Sequence, residues 1–83
     1  MKHPSQSLLN ILAENLRHYR REMGLSQEAF AEVCGYHRTY ISIIERGRRN
    51  ITLMVLENLA TALNVSVLDL LTEKKRPKDG NLT

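Results

Sequence analysis

The chain has 83 residues, 42% of them hydrophobic and 25% charged, with a formal net charge of +3. That is room for one small globular domain, and nowhere does it approach the run of about 18 apolar residues that marks a membrane-spanning helix. A lone cysteine, Cys34, leaves no internal disulfide and fits a reducing cytosol, while His3, His18 and His37 are too scattered to hold a metal. No cofactor is expected, and the expected location is cytoplasmic: MKHPSQS lacks the apolar centre of a secretion signal.

Residues 1–7 read as a tail. A first helix is predicted from Leu8 to Met23, because Leu9, Leu12, Leu16, Tyr19 and Met23 recur at spacings of three and four on one face. Arg17, Arg21, Glu14 and Glu22 lie off that stripe, and Gly24 ends it. Ser26 is placed to cap a second helix over Gln27 to Cys34, which Gly35 stops. His37 opens a third, from Arg38 to about Arg46, ended by Gly47. Thr52 caps a fourth from Leu53 to Leu63, with Leu56, Leu59, Ala60 and Leu63 turned inward. Ser66 caps a short fifth, with Asp69 supplying the returning acid of a capping box. Val65 and Val67 alternate, but the run is too short for a strand. Residues 73–83 carry Pro, Gly and charge and read as a second tail; the basic string KKRPK in it resembles a nuclear address, a pattern common by chance. The expected fold is therefore all-α, five helices forming one domain over residues 8–72.

The second and third helices are short and joined by three residues that include Gly35. That is a helix-turn-helix, in which the helices cross steeply and the small Ala31 permits close approach. Phe30, Tyr36, Ile41 and Ile44 would form the core of the unit. Charge is concentrated just there: Arg38 to Asn50 holds four arginines against one acid, Glu45. Such a patch on a small domain points to phosphate, hence nucleic acid. With Ile41 and Ile44 inward, Arg38, Thr39 and Ser42 share the outer face of the third helix. Arginine reads guanine bidentately, while Thr and Ser are more permissive.

SQEAFAEVCGYHRTYISIIERG resembles the DNA-binding segment of the phage-repressor-like (Cro/repressor, XRE, lambda-repressor-like) helix-turn-helix family. Ser26, Gln27, Ala31, Gly35, Ile41, Ile44, Glu45 and Gly47 fall at its spacings, over roughly Leu12 to Leu71. Within that family, RTYIS followed by IERGRRNITL looks like the restriction-modification controller proteins, which are small dimers that regulate their own operon. The resemblance implies base contacts from the same outer face, Arg38, Thr39 and Ser42. Ile43, at its edge, would touch a thymine methyl or pack, and stands where the controller pattern often has glycine. The resemblance implies that Gln27 contacts phosphate and braces the recognition helix. Tyr40 would reach a phosphate or lie along the first helix, and Arg46, Arg48, Arg49 and Asn50 would line the passing backbone. It also implies a structural ion pair between Glu45 and Arg20, and, as in some phage repressors, acids at Glu28 and Glu32 that touch RNA polymerase.

Leu68 is a surplus apolar residue beside Leu71, and with Met54 and Val55 it suggests a homodimer interface. Two-fold symmetry then calls for a pseudo-palindromic operator on double-stranded DNA. The expected function is a dimeric, sequence-specific transcriptional regulator. The alternative is an antitoxin that binds a toxin and autoregulates its operon. Neither an enzyme, a membrane partner nor a small-molecule ligand is expected: there is no nucleophile–base pairing, no Walker-type loop and little room for a pocket. Cys34 reads as a small, semi-buried residue, since a redox role would need a stabilised thiolate.

Overall fold

A computed structural model describes residues 4–74. Among these the chain forms α1 (Pro4–Glu22), α2 (Gln27–Cys34), α3 (Arg38–Glu45), α4 (Leu53–Leu63) and α5 (Val67–Leu71), with no strand. No described helix is long and apolar enough to cross a membrane. Of the expected C-terminal tail, and of the KKRPK string in it, everything beyond Lys74 lies outside the described residues.

Local chemistry explains the boundaries. Ser26, Thr52 and Ser66 each sit in extended conformation before a helix, and each side chain accepts a backbone N–H three residues on. Asp69 returns the favour to the Ser66 N–H at 3.0 Å, completing the capping box. The α2 end closes through Gly35 at φ +80°, with Gly35 and Tyr36 N–H groups both donating to the Ala31 carbonyl. A residue with a Cβ resists that left-handed conformation, so glycine is the natural terminator.

The first helix departs from expectation at both ends. It begins at Pro4, inside the stretch read as tail. Proline suits a first turn, where no N–H donor is needed, but Pro4 to Ser7 carry no apolar period to reveal it. At the other end Met23 is exposed (48%), and the buried Arg20 completes the inner face in its place.

Leu12, Leu16, Phe30, Ile41, Ile44, Leu59 and Leu70 form the centre of the core, all but excluded from water. Each such side chain contributes about 1.5–3 kcal/mol through burial. α1 runs against both α3 and α5, so it connects the two ends of the molecule. α5 is too short to persist alone. Asn15, 1% exposed, reaches from α1 to its C-terminal end and donates from Nδ2 to the carbonyls of Leu70 (2.8 Å), Thr72 (2.9 Å) and Asp69 (3.3 Å).

Candidate nucleic-acid interface

The outer face of α3 is built from the inside. Ile41 and Ile44 are buried under it, and its N-terminus is capped by His37, whose Nδ1 accepts the Thr39 N–H at 3.1 Å. That leaves Arg38 and Thr39 exposed on the first turn, with Ser42 and Ile43 half-buried beyond them. Tyr40 is also half-buried. Its ring stands edge-on to Tyr36 (centroids 5.3 Å apart), with the Arg49 guanidinium 5.7 Å from its centroid. Tyr36 in turn accepts a hydrogen bond from Asn58 Nδ2 at 2.8 Å, which ties the unit to α4.

The C-terminal end of α3 is fastened harder. Glu45 is 2% exposed, and its carboxylate takes Arg20 Nε on one oxygen (2.6 Å) and Arg20 Nη2 on the other (3.0 Å). Gln27 Nε2 donates to the same carboxylate at 3.0 Å, and Arg20 Nη1 continues to the Leu25 carbonyl at 2.7 Å. Arg17 donates to the Glu45 backbone carbonyl. Three helices therefore meet on one side chain. Gln27 is placed as a brace for the recognition helix, with its amide committed on one side to Glu45. Arg17, which lay off the apolar stripe, was missed by sequence reasoning; its length lets it reach the α3 terminus.

The turn after α3 is set by Gly47, at φ +69° and buried against α1. A Cβ there would lie 2.8 Å from Asn10 Oδ1 and 3.7 Å from the Leu9 carbonyl oxygen. With the turn pinned there, Arg46, Arg48, Arg49 and Asn50 all project into solvent. Among the described residues no ion pair neutralises Arg38, Arg46, Arg48 or Arg49. Four guanidiniums without an ion-pair partner among the described residues thus border one exposed helical face, that of Arg49 lying over the Tyr40 ring.

The remaining predicted residues fall elsewhere. Glu28 and Glu32 are exposed on α2. Met54 (71%) and Leu68 (72%) are exposed, whereas Val55 and Leu71 are partly buried against their own core. Leu53 (80%), Val33 (58%) and Leu8 (45%) are exposed apolar residues not foreseen. Leu53 and Leu8 line a groove with Leu9, Ile51, Leu56 and Leu71. Leu53 directly follows the Thr52 cap, and its apolar character without an inward register was the available signal. Burial pushes the Cys34 thiol up to about 11, so it stays neutral rather than forming a reactive thiolate. No cluster among the described residues has the ligands for a metal ion.

A short amphipathic helix, locked from behind and presenting Arg, Thr and Ser beside a cluster of exposed arginines, defines a helix-turn-helix DNA-binding protein. The helix-turn-helix family model HTH_3 matches residues 16–70, and the chain belongs to that family. It is 58% identical over 64 residues to control protein C.SmaI of Serratia marcescens, covering 77% of this chain and 76% of that protein. The crystal structure of hypothetical transcription factor NHTF from Neisseria is similar with a TM-score of 0.79 at 45% identity, covering 83% of this chain and 79% of that one. The restriction-modification controller protein C.AhdI from Aeromonas hydrophila gives a TM-score of 0.75 at 38% identity, covering 82% and 99%. The chain is a helix-turn-helix transcriptional regulator.

Proposed function

We propose that the protein is a restriction-modification controller that binds a pseudo-palindromic operator as a homodimer, inserting α3 into the major groove. The observation that carries this reading is the set of exposed arginines, with no ion pair among the described residues, around the outer face of a helix whose inner face is buried. Arg38, Thr39, Ser42 and Ile43 would meet base edges; Gln27, Tyr40, Arg46, Arg48, Arg49 and Asn50 would follow the phosphates. Exposed Met54 and Leu68, with Leu53 next to Met54 in sequence, would bury one another across the two-fold axis. The two recognition helices would then lie about 34–36 Å apart, one turn of DNA. Glu28 and Glu32 on α2 would be the acids that meet RNA polymerase when the bound dimer activates.

The test starts from a duplex selected from a random-sequence library by the protein itself. Affinity for it should fall steeply with salt, in proportion to the phosphates neutralised. Arg38→Ala should relax preference at one base pair per half-site, at about 1–3 kcal/mol of discrimination. Arg48→Ala should weaken all duplexes alike and flatten the salt slope by about one unit. Identical profiles for the two variants, or no selected sequence at all, would overturn the assignment.

A further inference from the structure

The five residues of α5 carry Leu68, the most exposed apolar side chain of that helix; buried Leu70 and the Ser66–Asp69 capping box hold its inner face and its start, but neither supplies donors to its C-terminal carbonyls. The last four carbonyls of any helix lack intrahelical donors, and in a helix this short they are most of the helix. Asn15 supplies the missing donors from outside. Its buried carboxamide serves Leu70 and Thr72 at 2.8 and 2.9 Å and shares the Asp69 carbonyl at 3.3 Å. The Thr72 hydroxyl covers the Leu68 carbonyl at 2.7 Å. One turn further along α1, Lys74 Nζ donates to the Tyr19 hydroxyl at 2.7 Å and lies 3.7 Å from the Asp69 carboxylate.

The same helix fastens α3. Asn15 holds α5, and within five residues Arg17 and Arg20 hold the Glu45 carbonyl and carboxylate. α1 is therefore a strut with the surface proposed for dimerisation fixed at one side and the recognition helix fixed at the other. In a two-fold dimer, the angle of α5 on α1 sets the separation of the two recognition helices.

We infer that Asn15 is the positioning residue that, by clamping the α5 carbonyls to α1, orients Leu68 for a second copy of this chain and so sets the spacing of the two recognition helices. The inference rests on the dimer reading above and names the residue that determines its geometry. At 1% exposure Asn15 offers no surface to DNA or to a partner chain; it would act through α5.

The experiment compares Asn15→Ala, the near-isosteric Asn15→Asp, and Leu68→Asp. Sedimentation gives the dimerisation constant, and binding is measured to the selected duplex and to the same duplex cut to one half-site. Both Asn15 variants should weaken dimerisation about tenfold or more, the loss of a buried donor being large enough for that. They should weaken full-site binding with it while leaving half-site binding and helical content as in the parent chain. Leu68→Asp, which alters the face directly, should abolish the dimer. If Leu68→Asp is monomeric while both Asn15 variants dimerise and bind the full site like the parent, the clamp inference is wrong and the dimer face stands. If Leu68→Asp dimerises normally, the dimer face itself is wrong. If both Asn15 variants lose half-site binding and helical content together, Asn15 is a folding residue and the inference is overturned.

Discussion

Replacing Arg20 by Ala removes one side of a pair that water barely reaches: Arg20 is 7% exposed and Glu45 2%. The variant leaves the Glu45 carboxylate with Gln27 as its remaining side-chain donor, and leaves the Leu25 carbonyl without the Arg20 bond. Breaking a buried ion pair from one side costs about 3–5 kcal/mol. A chain of this size has roughly 4–12 kcal/mol of stability in total, at about 0.05–0.15 kcal/mol per residue. The single change should therefore take a quarter or more of it. With each kcal/mol worth about 4–8 °C in a domain this small, Tm should fall by at least about 12 °C. Thermal unfolding followed by far-UV circular dichroism measures it directly. The double variant Arg20→Met, Glu45→Leu should recover most of the loss, because two apolar side chains of similar volume need no solvation. Recovery should be incomplete, since Gln27 and Leu25 lose their partners. A Tm drop under about 4 °C for Arg20→Ala, equivalent to about 1 kcal/mol, would refute the claim that this pair locks α1 to α3.

Gly47→Ala should cost about 1–3 kcal/mol, from left-handed strain plus a Cβ pressed onto the Asn10 side chain. Gly35→Ala, whose Cβ would meet open space, should cost less, and denaturant titration of the two variants will rank them. His37→Ala removes the acceptor for the Thr39 N–H and should lower stability by about 1 kcal/mol, with His37→Ser restoring it, as read by the same titration. Hydrogen bonds from Ser66, with Lys74 nearby, hold the Asp69 carboxyl below its usual 3.8. A lowered folded-state value stabilises the chain above the unfolded pKa and is lost as pH falls through the folded one. Tm should therefore drop as pH falls below 3.8, and Asp69→Asn should have a shallower acid limb than the parent chain.

The fold was legible where it is locally determined. α2 and α4 begin and end where Ser26, Gly35, Thr52 and the run to Leu63 place them, because a cap is a contact between neighbours in sequence. The start of α1 was hidden because Pro4 to Ser7 are polar and carry no period. Long-range polar contacts were legible only through resemblance: the Arg20–Glu45 pairing spans 25 positions and no local pattern encodes it. Asn15 was missed although a signal existed. It stands three after Leu12 and four before Tyr19, squarely on the apolar stripe, and a polar residue there must find a partner once buried. Its partners are 54 to 57 residues away, so the sequence could show the need and not the answer. Val55 and Leu71, expected at the dimer surface, are partly buried against their own core, and how an apolar residue near a helix end divides between core and surface shows only once the neighbouring helix is in place.

The division of labour on α3 has a consequence for how such a protein can change its target. Ile41, Ile44 and Glu45 carry the attachments that fix the helix, and all are buried. Arg38 and Thr39 are exposed, and no ion pair among the described residues engages Arg38. Substitutions at exposed positions of this kind usually shift stability by no more than about 0.5 kcal/mol, whereas a bidentate base contact is worth about 1–3 kcal/mol of discrimination. Arg38 even opposes the helix dipole by about 0.3–1 kcal/mol, so the fold has no use for it. On the proposed reading, a guanine and not the helix accounts for its place at that terminus. Ile43 is the intermediate case: half-buried, it has one side for packing and, on the proposed reading, one for the groove. Exchanging it for glycine, the residue the controller pattern often carries there, should move both stability and base preference. The outer positions Arg38 and Thr39 should move preference alone.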